Sequence, residues 1–515
     1  MRWRRIAVFV GSGVVLAILV GIIILRLKWP FSRQELTESV QEIVPGDVQM
    51  ERFRSTFFPH PGCVAENVTV KRSAGTPLVS VQRIAIEARY IDLVVRPGYI
   101  ARITLQGLHI VVPARGSDSG MFAKASGHDS SSDNQNTRVA EIITQGAVLE
   151  VGRRGGQTPL KFEIHEVKLG SVRRGSAFSY EVALTNALPP GEITSSGHLG
   201  PWNGRDLGQT PVSGSYQFRN AELGALAGVD GTLSSQSNFE GELDRIDLHG
   251  GVDVASFVVK GSKQKVDLHA QYAAAVDALN GDVFLQRLQA SFLHTTVAGE
   301  GQVAKQKGEK GKTASFQLAV HQGRIEDVLG LFAMSGRSPF AGATNFQANV
   351  EIPPGPGSFL RKVNLRGDFV VDGGRFGNPE TQANVNDLSR RASGKKTEEN
   401  GDAEPALSQL KGHVVLHGGI ANFSNVDFVI PAATAQGGGQ YNLLNEKIDF
   451  RGTLRTQAEL SQTTKGIKSV LLKPLDRFFK KKNAGAEVPV AITGTYSEPH
   501  FGIDLSPARK ATPAQ

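Results

Sequence analysis

Two histidines four residues apart are the first feature of this chain that could hold an ion. On a helix, His413 and His417 would share one face and form half of a metal site. Their setting, Lys411-Gly412-His413-Val414-Val415-Leu416-His417, alternates polar and apolar instead. On a strand the two rings stand about 13 Å apart and cannot share a cation. His60-Pro61-Gly62-Cys63 offers an imidazole and a thiol with no partners at zinc spacing. Gly437-Gly438-Gly439-Gln440 lacks the strand–GxxxxGK[ST]–helix context of a phosphate cradle. Neither G-x-S-x-G nor H-E-x-x-H occurs, and the acidic residues are scattered. The expectation is a protein that is not an enzyme, with no catalytic residues, no metal site and no cofactor. The single cysteine, Cys63, excludes an intramolecular disulfide and is expected to be buried and inert.

The strongest physical signal is apolar. Ile6 to Leu25 reads IAVFVGSGVVLAILVGIIIL, with no charge in the run. As a helix it is about 30 Å long, the thickness of a bilayer's hydrocarbon core. Arg2, Arg4 and Arg5 precede it and Arg26 and Lys28 follow. The denser basic cluster lies on the N-terminal side, so that tail is expected to stay cytoplasmic. A cleaved signal peptide is the alternative. Its apolar region would be shorter and would end at a small-residue site, whereas this run ends in Leu25-Arg26-Leu27-Lys28-Trp29. A retained single-pass anchor is therefore expected. The formal net charge is +8, and much of it sits in the N-terminal tail and in Lys465 to Lys482. That placement faces a membrane, and basic residues are not interleaved with stacking aromatics, so nucleic acid is not expected as a partner.

The elements beyond the anchor read as follows. Ser32 to Val44 carries Leu36, Val40, Ile43 and Val44 at helical spacing, and Pro45-Gly46 ends it. From there the dominant period is two. Ile84, Ile86, Ala88 and Tyr90 fall on one face of their segment; Phe178, Tyr180, Val182 and Leu184 fall on one face of another. Leu160 to Ile164, Val212 to Phe218, Phe239 to Leu248, Val252 to Val259, Val283 to Phe292, Ser315 to Val320, Thr344 to Val350, Lys362 to Val371, Lys411 to Leu416, Val426 to Ile430 and Lys447 to Leu454 are further strands by the same criterion. Gly250-Gly251, Asn280-Gly281, Asp372-Gly373-Gly374 and Gly437-Gly438-Gly439 read as turns. Helical spacing appears at Ile325 to Phe332 and just after Asn384.

At the usual strand length of 5–6 residues, the chain holds about 20 to 25 strands. Side by side they would extend on the order of 100 Å and must twist. A sheet with one apolar and one wet face must close on itself, fold into a sandwich or curl into an apolar-lined trough, and the alternation alone leaves these open. Gly116 to Thr137 and Gly394 to Pro405 are polar low-complexity loops.

Several segments resemble one family. Ile84 to Val112 (IAIEARYIDLVVRPGYIARITLQGLHIVV) is similar to the N-terminal module of AsmA-like proteins. Asn386 to Gly394, with Leu388-Ser389-Arg390-Arg391-Ala392-Ser393-Gly394, resembles the family's LS-x-R-A-x-G helix. Phe450-Arg451-Gly452-Thr453-Leu454, the lysine-rich Val470 to Lys482, Val488 to Thr495 and Pro499 to Leu505 follow in the family's order. The order carries the likeness, no single motif does, and about 115–250 matches by pattern alone.

The resemblance implies a mostly β fold: a long twisted antiparallel sheet curled into an apolar-lined groove, with a few short helices and one N-terminal transmembrane helix. The expected organisation is a tail and anchor over 1–28, a β module over 29–115, a loop over 116–137, central groove repeats over 138–320, a C-terminal β region with amphipathic helices over 321–505, and a tail over 506–515. It implies a bacterial inner-membrane protein with its bulk in the periplasm. Its partners would be membrane phospholipids, the inner membrane and envelope or outer-membrane proteins. It implies a role in envelope biogenesis, moving or shielding phospholipid between inner and outer membranes. The alternative is a scaffold that aids outer-membrane protein insertion without carrying lipid. Candidate groove-lining residues are Ile84, Ile86, Ile103, Leu105, Phe178, Tyr180, Val182 and Leu184. Ile467, Val470, Leu471, Leu475, Phe478 and Phe479, with Lys480, Lys481 and Lys482, make a helix that either lies on a membrane surface or plugs the end of the sheet.

Overall fold

The computed structural model describes residues 31–43, 46–71, 78–96, 98–112, 137–152, 158–173, 175–203, 206–226, 228–306, 311–332, 338–355, 357–392, 408–456, 487–495 and 498–503. The apolar run Ile6 to Leu25, the basic helix expected over 466–482 and most of both polar loops lie outside these residues. Among the described residues no helix is long and apolar enough to cross a membrane.

The described chain is mostly strand, with 24 strands assigned to one hydrogen-bonded sheet. It divides into two compact units. The first comprises residues up to Ala187 together with Glu192–Gly214. Its elements are α1 (Arg33–Ile43), β1 (Asp47–Thr56), β2 (Gly62–Lys71), β3 (Val79–Glu87), α2 (Tyr90–Val95), β4 (Tyr99–Gln106), β5 (His109–Val112), β6 (Arg138–Val151), β7 (Leu160–Arg173) and β8 (Phe178–Ala187). Strands β9 (Pro190–Leu199) and β10 (Pro211–Glu222) contribute to both units.

In this unit β1–β2–β3–β4 and β6–β7–β8 pair antiparallel, but β4 and β5 both run parallel to β6. The expected antiparallel sheet is corrected at these two pairings. A parallel pair needs a crossover of a dozen residues or more. β5 ends at Val112 and β6 begins at Arg138, a separation in sequence long enough for one. The core lies under α1, whose Leu36 packs with Phe31, Met50, Cys63, Ala65, Val68, Val81 and Ile84.

The second unit contains β11 (Val229–Glu242), β12 (Arg245–Val259), β13 (Val266–Val276), β14 (Val283–Phe292), β15 (Thr295–Lys305), β16 (Lys312–Arg324), α3 (Ile325–Gly330), β17 (Phe340–Ile352), α4 (Phe359–Lys362), β18 (Asn364–Phe376), α5 (Pro379–Ala392), β19 (Ser408–His417), β20 (Ile420–Ile430), β21 (Ala433–Asn442), β22 (Lys447–Thr456), β23 (Glu487–Thr495) and β24 (Pro499–Ile503). Each strand from β11 to β24 pairs antiparallel with the next, a meander.

Bulges recur along this meander. Register shifts fall at Val254/Phe257, Val320/Gly323, Val371/Gly374 and Phe423/Val426. Each contains a residue at positive φ: Ser256, Gln322, Gly373 and Asn425. Bulges of this kind bend a strand and raise its local twist. Side chains of the next strand complete two of them. Ser256 N–H donates to Asp267 Oδ1 at 2.9 Å, and Gln322 N–H donates to Asn345 Oδ1 at 3.1 Å.

Helix α3 is pinned by a buried acid. Asp327 Oδ2 accepts from His294 N–H and from the Thr295 hydroxyl, both at 2.9 Å. The pinned helix lays Ile325 and Leu329 against Phe340, Phe369 and Val371 on the sheet.

Several boundaries differ from the sequence reading. The strands are longer than expected, reaching 14 residues in β7 and 15 in β12. Gly250-Gly251, Asp372-Gly373-Gly374 and Gly437-Gly438-Gly439 lie inside β12, β18 and β21, so only Asn280-Gly281 among the expected glycine turns joins two strands. Gly250, Gly437 and Gly439 stand where a side chain would strike the neighbouring strand; a Cβ on Gly439 would lie 2.6 Å from the Phe450 ring. Phe239 to Leu248 contains the hairpin turn between β11 and β12. Tyr90 starts α2 rather than ending β3, and Lys362 ends α4 rather than starting β18.

Candidate functional site

Cross-strand partners in a sheet point to the same face. In the first unit this rule joins the candidate lining residues into two rows. One runs Phe53, Ala65, Ile84, Leu105, Thr144, Val167, Val182 across β1, β2, β3, β4, β6, β7 and β8. The other runs Ser55, Cys63, Ile86, Ile103, Ile142, Leu169, Tyr180 across the same strands. Leu184 pairs with Ile164 and shares the face of Val182, as Phe178 shares that of Tyr180. All eight residues chosen from sequence thus belong to one face.

Their surroundings are not equal. Ile84, Ile86 and Leu105 belong to the core cluster that α1 closes, and Ile84 is buried. Ile103, Phe178, Tyr180, Val182 and Leu184 are half-buried, as are Ile142, Val167 and Leu169 between them. Cys63 is closed off beneath α1, and burial pushes its thiol up to about 11. No nucleophile is available there at neutral pH.

The second unit repeats the arrangement on a larger scale. One row runs Gly250, Tyr272, Leu288, Gly299, Leu318, Ala348, Gly367, Val414, Phe423, Gly439, Phe450, Ile492, Phe501 from β12 to β24. Beside it runs Phe239, Leu248, Ala274, Leu285, Gly301, Phe316, Val350, Leu365, Leu416. A concavity of about 950 Å³ lies here; Leu285, Gly301, Phe316, Val350, Leu365 and Leu416 of this row share its lining with polar residues of the alternate phase, among them Glu300, Gln317, Glu351, Arg366 and His417. That volume is at the upper end of small-molecule sites, usually about 300–1,000 Å³.

Glycine and large apolar residues alternate across strands here. A Cβ on Gly301 would sit 2.5 Å from Phe316 Cδ1, and one on Gly299 would sit 2.7 Å from Leu318 Cδ2. The glycines let these side chains fold over the neighbouring strand. Towards the C-terminal side, α3 and a ring ladder cover the face: Phe369–Phe423 and Phe423–Phe450 centroids lie 5.9 and 5.4 Å apart.

One hydroxyl cluster interrupts the apolar surface. Tyr216 Oη lies 2.7 Å from Tyr272 Oη and 3.2 Å from Ser235 Oγ. Burial raises the Tyr216 phenol above its ordinary range, and the Tyr272 hydroxyl adds to the shift, so Tyr216 stays protonated.

The opposite face is polar. His413 Nδ1 lies 2.8 Å from Asp368 Oδ1, its cross-strand partner, and His417 Nδ1 lies 2.7 Å from Asn364 Oδ1. The two histidines are engaged separately, one cross-strand partner each. Lys411 pairs with Asp427 at 3.2 Å on the same ladder. Among the described residues no group of three or more His, Cys, Asp or Glu is placed to hold a metal ion.

The residues of the second-unit concavity were missed by sequence reasoning, although their strands were recognised except β15, which carries Gly301. What was lacking was register across strands, which alone brings these residues into one row. The candidate helix residues Ile467, Val470, Leu471, Leu475, Phe478, Phe479 and Lys480 to Lys482 lie outside the described residues. No family model matches this chain, and no curated protein and no solved structure is similar to it at a meaningful level.

Proposed function

We propose that this chain is a membrane-anchored envelope protein that moves or shields phospholipid between the inner and outer membranes, with the acyl chains against the apolar sheet face. The observation that carries the reading is the pair of apolar rows in the second unit, continuous in register and opening into a concavity of about 950 Å³. Exposing an acyl chain to water costs about 0.8 kcal/mol per CH₂. A face of repeated Leu, Val and Phe offsets that cost at many equivalent positions and holds none of them tightly. The polar opposite face keeps the sheet wet outside. The resemblance to AsmA-like proteins and the apolar run Ile6 to Leu25 support the same compartment.

The test is transfer of a fluorescent phospholipid from donor to acceptor vesicles by the full-length protein. The proposal predicts transfer well above a protein-free control, and loss of it in Leu285→Asp. No transfer, with a folded protein and no co-purifying phospholipid, favours the scaffold alternative.

A further inference from the structure

Helix α2 is built inside out. Its acid, Asp92, is 5% exposed, and Arg89 Nε donates to it at 2.9 Å. Leu93 packs inward against the core cluster. The outward side carries Ile91, Val94 and Val95, which are 68%, 79% and 67% exposed. A surface helix normally does the reverse. The connection between β1 and β2 extends the patch: Phe58 is 89% exposed, and Phe57 lies beside it. The two segments are tied together, because the Tyr90 hydroxyl donates to the Phe57 carbonyl.

Five large apolar side chains on two hydrogen-bonded segments make a patch of the kind that marks a contact surface. Two observations identify what covers it. Basic residues bracket it: Arg89 and Arg96 flank α2, each with its guanidinium carbon 5.9 Å from the Tyr99 ring centroid. The chain also enters here. The Ser55 hydroxyl donates to the Phe31 carbonyl at 3.4 Å, two residues before Phe57. Phe31 follows closely on the apolar run that ends at Leu25. A protein surface has no need of that apolar run, whereas a bilayer accounts for the run, the arginines and the patch together.

We infer that Phe57, Phe58, Ile91, Val94 and Val95 form a membrane-seating surface that dips into an anionic phospholipid bilayer and fixes the first unit against it. This rests on the membrane attachment in the proposed function and not on lipid carriage. A protein that transfers no lipid would still seat in this way.

The experiment uses the full chain reconstituted in vesicles of phosphatidylcholine and phosphatidylglycerol. Phe58→Cys, Ile91→Cys, Val94→Cys and, as a control on an exposed position of β8, Glu181→Cys are each labelled with a polarity-sensitive maleimide dye. Cys63 is buried and its thiol is pushed up to about 11, so the dye goes to the introduced thiol. Lipids brominated in the upper acyl chain should quench the labels at 58, 91 and 94 by roughly twofold or more, and the label at 181 little. Adding Val94→Asp to Phe58→Cys should return quenching at 58 to the control level with thermal unfolding unchanged. Equal quenching at all four positions overturns the inference. So does shielding of 58, 91 and 94 from aqueous iodide without quenching by brominated lipid, which would assign the patch to a protein partner.

Discussion

Gly301 on β15 stands directly opposite Phe316 on β16, and the Phe316 ring occupies the space where a side chain on Gly301 would begin. The ring lines the concavity because the glycine has no Cβ. Replacing Gly301 by valine therefore sets a branched side chain against Phe316 and the Ser315 carbonyl. Overpacking of this kind costs about 1–3 kcal/mol. Gly301→Val should lower the denaturation midpoint accordingly, and the double variant Gly301→Val/Phe316→Ala should recover part of the loss. Chemical denaturation followed by circular dichroism measures both.

Asp327 is a buried acid with two donors, His294 N–H and the Thr295 hydroxyl. Asp327→Ala takes the acceptor from His294 N–H and leaves the Thr295 hydroxyl only the longer bond to the Arg324 carbonyl, at roughly 1–3 kcal/mol. Amide exchange should then rise in 325–330 and in the 293–295 turn. If those segments exchange as in the parent, the acid does not hold the helix.

Cys63 titrates abnormally, and its sign can be followed in stability. Burial raises the folded-state thiol from the ordinary 9.0 to about 11. Its contribution is fully present below pH 9 and is lost as pH rises through 11. Full linkage over that shift amounts to roughly 2–3 kcal/mol. Between pH 9 and 11 the parent protein should lose more stability than Cys63→Ala. Parallel slopes for the two would show that Cys63 is wetter than its burial implies.

Val182 sits half-buried on the apolar face of β8, in a row with Val167 and Leu105. An aspartate there can reach water, so Val182→Asp should unfold within a few degrees of the parent while slowing lipid transfer several-fold. A large stability loss with normal specific transfer would place Val182 in a closed core instead.

The sequence made the strand content and the facing of residues legible, because period-two patterning is local. Ile84 shares a face with Ile86, and Tyr180 with Val182, as the alternation within each strand predicted. Register was not legible, because it depends on pairings between distant strands. The parallel entry of β6 and the row through Leu285, Phe316 and Leu365 therefore appeared only in the structure. Glycine was misread for a related reason. Gly437 to Gly439 resemble a turn in one dimension, yet they form a close approach to β22 once Phe450 is opposite. The exposed face of α2 was hidden because Tyr90 continued the alternation of β3 in sequence.

The most direct measurement is site-specific photocrosslinking in cells, with a benzophenone amino acid at Phe316 or Leu285 in the concavity and at Asp368 on the opposite face. The account predicts phospholipid adducts, identified by mass spectrometry, at 316 and 285 and none at 368. Adducts absent from 316 and 285, or equal at all three positions, would contradict an apolar face that carries lipid.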